Sequence, residues 1–161
     1  MIKVHVWDSA WMSYLPGGKE GSPGHAAISF SNYYVSFWPG TETGFLKWKG
    51  HKLVHKLDDD QRYYEKHGQS YWGQEIPAKT KTADGLDEAL MVARWIDIQS
   101  KNPDYTAKFQ CSAVVNELLI AGESRKFLIN AWYRPATWVI GAVSPADVKD
   151  YVKALIKAMK K

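Results

Sequence analysis

His25-Ala26-Ala27-Ile28-Ser29-Phe30 and Tyr34-Val35-Ser36-Phe37-Trp38, with Ser31-Asn32-Tyr33 between them and Pro39-Gly40 behind, decide how this chain folds. Both runs favour extended backbone, and a short polar break joins them, so the segment predicts an antiparallel hairpin closed off by Pro39-Gly40. Upstream, Ile2, Val4 and Val6 alternate with Lys3 and His5, the period-two pattern of a half-buried strand. Between them, Asp8 to Gly24 holds Pro16-Gly17-Gly18, Gly21 and Ser22-Pro23-Gly24, which predicts a long loop.

Downstream, Lys52 to Leu57 and Tyr71 to Ile76 read as further short strands. Asp58-Asp59-Asp60 puts acids where a helix running to His67-Gly68 wants its first turn. Asp84 is placed to cap a helix with Leu86, Ala89, Leu90, Ala93 and Ile96 on one face, ended by Asn102-Pro103. Tyr105 to Gln110 leads, extended, into a helix that starts at Cys111, buries Val114, Val115, Leu118 and Leu119, and stops at Gly122 as C′ residue. Ser144-Pro145-Ala146-Asp147 opens a last helix, with Val148, Val152, Leu155, Ile156 and Met159 at helical spacing. The sum is an α+β chain, a small antiparallel β-sheet packed against helices, in one domain over residues 1–161.

With 161 residues, 45% hydrophobic and 24% charged, the chain can bury a sizeable core, which excludes disordered, collagenous and coiled-coil classes. The net charge of +4, with Lys153, Lys157, Lys160 and Lys161 crowding the C-terminus, is milder than a nucleic-acid reader carries, so no nucleic-acid partner is expected. The single cysteine leaves no intrachain disulfide and no thiolate zinc cluster, and no metal or cofactor is expected. Met1 to Asp8 lacks the apolar core of a secretory signal, and no run reaches the roughly 18 apolar residues of a membrane span. The expectation is synthesis in the cytoplasm without a cleavable signal, with a specialised secretion system as the export route.

Phe109-Gln110-Cys111-Ser112-Ala113-Val114-Val115 is the chemically informative segment. It puts a thiol at the N-terminal end of an amphipathic helix, where free N–H groups and the positive end of the macrodipole favour thiolate. An imidazole must then take the thiol proton and return it to a leaving group. Among five histidines, His25 starts a strand among the small neighbours Gly24, Ala26 and Ala27, which leaves room for a substrate and holds the ring rigidly. The bland alternatives are a lone cysteine that is only a small core hydrophobe and a strand histidine that is only structural. Asp58-Asp59-Asp60 reads as a solvated helix cap in preference to a metal site.

Gly24 to Phe30, Tyr34 to Pro39 and Cys111-Ser112-Ala113-Val114-Val115-Asn116-Glu117-Leu118-Leu119 together resemble the circularly permuted papain-like cysteine hydrolases. That superfamily includes bacterial cell-wall peptidases and amidases and, on its permuted branch, lecithin retinol acyltransferase. The order here, histidine strand before cysteine helix, is that of the permuted branch. The resemblance implies Cys111 as nucleophile, His25 as general base and a polar residue on the next strand to orient the imidazole. Ser36 holds that position, where the family more often uses His, Asn, Gln, Asp or Glu. Asp8, at the end of the first strand, is the other candidate. The backbone N–H of Cys111, with Gln110, is the candidate oxyanion site. Eight tryptophans are many for this length, and Trp38 and Trp11 are candidates to line a substrate groove.

The leading expectation is a thiol amidase or peptidase acting on peptide or peptidoglycan-like amides as a secreted effector or toxin, with a cognate inhibitor protein as a further partner. An amine or lipid acceptor would make the same machinery an acyltransferase. The competing class is a non-catalytic module that binds glycan, nucleic acid or protein through its tryptophans, with Cys111 as core.

Overall fold

A computed structural model describes residues 1–8, 24–44, 47–51, 56–66, 68–106, 109–127 and 143–160. Within them the chain forms β1 (Ile2–Trp7), β2 (His25–Phe30), β3 (Tyr33–Ser36), β4 (Trp38–Gly44), β5 (Lys47–His51), α1 (Leu57–Lys66) and β6 (Tyr71–Ile76). There follow α2 (Glu88–Lys101), β7 (Asp104–Thr106), α3 (Cys111–Ala121), a 3-10 turn (Ser124–Phe127) and α4 (Pro145–Met159). The fold is α+β. One antiparallel sheet has the order β3-β2-β1-β6, and a smaller one the order β4-β5-β7.

Strand alternation sorts the larger sheet into two unlike faces. Val6 pairs with Ala26 and Val4 with Ile28, so these residues with Ile2, Phe30 and Val35 point one way, onto Met91 and Trp95 of α2, Val114 and Leu118 of α3 and Val152 and Leu155 of α4. Trp7 and Ala27 point the other way and are covered by Leu57 and Tyr64 of α1. The second face also carries His5 and His25, both buried. It is therefore an aromatic and polar layer under α1, whereas the first is a continuous apolar core.

The hairpin forms as read, with a shorter turn: Phe30 pairs with Tyr33, which leaves Ser31 and Asn32 as the connection. Ser31 takes φ 50, and its N–H and hydroxyl both bond Glu88 Oε2. Pro39-Gly40 does not end the strand pair. The chain passes from β3 through buried Phe37 into β4, where Pro39 faces Gly50, and proline is tolerated because β4 is an edge of its sheet. Of the strand expected over Lys52 to Leu57, residues 52–55 lie outside the described residues, and Leu57 opens α1 instead. The loop expected from Asp8 to Gly24 lies almost wholly outside them too.

The cap of α2 is Asp87, whose carboxylate accepts from the N–H groups of Ala89 and Leu90, and not Asp84. Leu86 cannot be helical because its N–H and carbonyl bond Pro77 O and Lys79 N in a small bridge. The inward stripe is also displaced: Met91, Trp95 and Ile98 are buried, while Leu90 and Ile96 are exposed. A tryptophan and a methionine bury more area than the two alanines of the expected face, and the helix rolls accordingly. Gly122 follows α3 as expected but with φ −67; Glu123 takes the left-handed conformation. Gly122 is needed for closeness, since a Cβ there would come within 3.2 Å of both Leu86 Cβ and Met91 Cγ. At α4 the reading holds, with Ser144 and Asp147 in a reciprocal capping box and Pro145 in the first turn. Among the described residues no helix is long and apolar enough to cross a membrane.

Candidate active site

β2, β3, α1 and α3 converge at the end of the larger sheet where Trp7 faces His25. Cys111 is the first residue of α3, and Gln110 before it is extended with no side-chain cap, so the helix's leading N–H groups are left uncapped. No acid occupies that first turn, and the positive end of the helix dipole acts on the thiol undiluted. The backbone N–H of Ala26 also bonds the sulfur, and the hydroxyls of Ser112, at 3.8 Å, and Tyr105 lie against it.

The His25 ring lies between the Cys111 thiol and the Asp60 carboxylate, and both act to favour its charged form. Its Nε2 lies 2.8 Å from Ser36 Oγ and 3.5 Å from Asp60 Oδ2. That leaves Nδ1 as the ring nitrogen for the thiol. Ser36 Oγ donates to Asp60 Oδ2 at 2.6 Å, the Tyr34 hydroxyl donates to the same oxygen at 2.5 Å, and Trp38 Nε1 donates to Asp60 Oδ1 at 3.1 Å. The His25 ring is packed by Tyr64, Trp38 and Trp7, with centroids 5.3, 5.0 and 5.6 Å away. His25 is 3%, Ser36 4%, Asp60 1% and Cys111 2% exposed, so water does not screen the charges of this cluster.

Burial alone would push the Cys111 thiol up, but the His25 charge and hydrogen bond, with the Ala26 N–H, pull it down to about 7. Burial would likewise lower His25, yet the Cys111 charge and the Asp60 carboxylate raise it to about 9. Asp60 resists the upward push of burial and stays below the usual carboxylate range through His25, Ser36 and Tyr34. Between about pH 7 and 9 the arrangement is therefore a thiolate beside an imidazolium beside a carboxylate.

Four of the residues singled out from the sequence are brought together: Cys111, His25, Ser36 and Trp38. Asp8 is not among them. Its carboxylate is paired with Lys149 of α4 at 3.1 Å and its backbone bonds Ser70, so the acid of the cluster is Asp60. Gln110 turns its Nε2 to the Val143 carbonyl at 2.8 Å and its Oε1 to the Cys111 sulfur, which presents an acceptor where an oxyanion needs a donor. The uncapped N–H groups at the start of α3 are the donors that remain for that role. Trp38 lies against His25 and Asp60, Trp7 and Trp95 are buried, and Trp11 lies outside the described residues.

Asp60 was hidden in the Asp58-Asp59-Asp60 run. A signal was present: Leu57, Asp60 and Tyr64 stand at i, i+3 and i+7, one face of a helix, and Asp60 and Tyr64 are its buried pair. Asp59 is spent on the surface, with Arg62 and the Lys56 N–H.

The α+β domain thus carries a buried Cys-His-Asp cluster whose members come from a helix start, a strand start and a facing helix. Residues 46–161 match the IcsB middle domain, and the chain belongs to that family. IcsB is a secreted bacterial effector, which gives the family a bacterial effector context. The matched span includes Asp60 and Cys111, while His25 and Ser36 precede it. No curated protein and no solved structure matches the chain.

Proposed function

We propose that this chain is an effector domain performing cysteine-dependent acyl transfer, with Cys111 as nucleophile, His25 as general acid and base and Asp60 as the residue that orients and charges the imidazole. The observation that carries the reading is the double engagement of His25, with the Cys111 sulfur on one side and Asp60 on the other. Cys111 thiolate attacks an amide or ester carbonyl and forms a thioester; the oxyanion is stabilised by N–H groups at the start of α3; His25 gives its proton to the departing amine or alcohol. His25 then takes a proton from the acceptor that attacks the thioester, and the thiolate is released. The strand order supports assignment to the permuted papain-like hydrolases, because the histidine strand precedes the cysteine helix.

Water as acceptor makes the enzyme an amidase or peptidase, with peptidoglycan stem peptides as the first substrate class and a cognate inhibitor as the partner of a toxin. A second reading, acyl transfer to an amine, is favoured by the 2% exposure of Cys111, which keeps bulk water from the thiol and suits an acceptor delivered with the substrate.

The test is acylation of Cys111 by an activated ester probe, followed by intact mass. Expected is one acyl group per chain, absent in Cys111→Ala and slowed by His25→Ala. Loss of the acyl group in buffer marks a hydrolase; persistence until an amine is added marks a transferase. Reaction of Cys111 with iodoacetamide only after unfolding would overturn both.

A further inference from the structure

We propose that Ser36 is a positioning residue that carries the contact between His25 and Asp60, its hydroxyl fixing which nitrogen of His25 faces the thiol. This rests on the cysteine reading for its catalytic meaning, though its geometry stands apart from it. A serine hydroxyl has one proton to give and two lone pairs to offer. Ser36 Oγ has three neighbours: Asp60 Oδ2 at 2.6 Å, Trp38 Nε1 at 2.8 Å and His25 Nε2 at 2.8 Å.

An ionised carboxylate only accepts, and an indole N–H only donates. The Ser36 proton therefore goes to Asp60, one lone pair takes the Trp38 Nε1–H, which at 2.8 Å leans to Ser36 while also reaching Asp60 Oδ1 at 3.1 Å, and the other can be filled only by a proton on His25 Nε2. That places the Nε2–H tautomer on the neutral ring and leaves the Nδ1 lone pair for the thiol proton. The Tyr34 hydroxyl, donating at 2.5 Å, keeps Asp60 an acceptor, and the direct His25 to Asp60 separation of 3.5 Å is longer than a good hydrogen bond. Trp38 fills one Ser36 lone pair, and the Asp60 carboxylate, which can only accept, holds the Ser36 proton away from His25.

Two readouts test this on the whole chain. In the unmutated protein at pH 8, the His25 Nε2–H should give a slowly exchanging, downfield proton signal in NMR, and Ser36→Ala should lose it to solvent exchange while Ser36→Thr keeps it. A signal unchanged in Ser36→Ala would show that Nε2 bonds Asp60 directly, and would overturn the bridge. The second readout is the pH midpoint of Cys111 alkylation, read cleanly because the chain has one cysteine. Ser36→Ala should raise it by about one pH unit, Ser36→Thr should restore it, and Ser36→Ala with Asp60→Asn should move it no further than Asp60→Asn alone. Additive shifts would mean two independent contacts and sink the proposal. Thermal melting of each variant separates a lost relay from a lost fold. If Cys111 alkylates only on unfolding, the cysteine reading fails, and the NMR signal alone judges the bridge.

Discussion

The sheet face under α1 buries two histidines, and the fold treats them oppositely. His5 lies in the middle of β1 with Nδ1 2.8 Å from the Tyr71 hydroxyl and Nε2 2.8 Å from Ser29 Oγ. His25 lies at the start of β2 with Ser36 Oγ at the same 2.8 Å. Both rings are almost fully buried, and both have a hydroxyl on Nε2. Yet His5 is pushed down to about 4, by burial first and then by Lys3, while His25 is raised to about 9. The difference is what stands behind the hydroxyl. Ser29 and Tyr71 are neutral ends, so burial wins at His5; behind Ser36 stands the Asp60 carboxylate, and a thiolate lies on the other nitrogen, so charge wins at His25.

The largest expected effect comes from deleting that charge. Asp60→Ala removes the acceptor of Tyr34, Ser36 and Trp38 at once and leaves an imidazolium with no carboxylate. Activity should fall by about 10³-fold or more, and stability by about 3 kcal/mol. In the same variant His5, which also feels the Asp60 charge, should titrate slightly lower than about 4 and stay neutral at pH 7. Measured turnover within tenfold of the unmutated protein would break the contrast, because His25 would then not depend on Asp60.

The two histidines also predict opposite limbs of stability against pH. His5 titrates at about 4 when folded and near 6.5 when unfolded, so its contribution is intact above 6.5 and is lost as pH falls toward 4, by about 3 kcal/mol. His25, raised to about 9, stabilises below 6.5 and loses that contribution as pH rises through 9. Cys111, lowered to about 7 from 9.0, has the reverse slope over the same alkaline range, its contribution growing as pH rises from 7 to 9. The two offset, so denaturation curves should be nearly flat from pH 7 to 9 and fall steeply below 6. His5→Gln should flatten the acid fall and leave Cys111 alkylation unchanged; an acid limb that survives intact would assign it elsewhere.

Converting one site toward the other is a more modest intervention. Ser29→Asp puts a carboxylate where His5 Nε2 now meets a hydroxyl, and it should lift His5 from about 4 to above 6.5, read by NMR titration. If His5 stays near 4 with the acid beside it, burial and not the partner's charge decides these histidines.

Much of this face was legible in the sequence and its key acid was not. The hairpin, Tyr71–Ile76, the Cys111 helix start and the Ser144 cap were visible because each is announced by its own local chemistry. Asp60 required knowing that α1 folds back over the sheet, a long-range fact that makes one of three consecutive acids an inward residue. The α2 stripe failed for a related reason: Leu86, Ala89, Leu90, Ala93 and Ile96 lie at helical spacing, but Met91, Trp95 and Ile98, at i, i+4 and i+7, form a neighbouring stripe that fills the core better. Periodicity offers both solutions, and packing volume selects between them.

The smallest effect separates structure from chemistry most cleanly. Tyr71→Phe removes only the hydroxyl bonded to His5 Nδ1 and keeps the ring that stacks on His5 at 6.0 Å and packs against Trp7 at 5.4 Å. Tyr71 is 41% exposed, so water can replace part of the lost bond, and the cost should be no more than about 1 kcal/mol. Tyr71 and His25 flank the same Trp7 ring, so a change at Tyr71 tests whether packing alone links the two histidines. An unaltered alkylation midpoint with slightly reduced melting temperature is the expected result. A shifted midpoint would mean that the neutral end of the face feeds the charged end, and that the two histidines act as one titrating system.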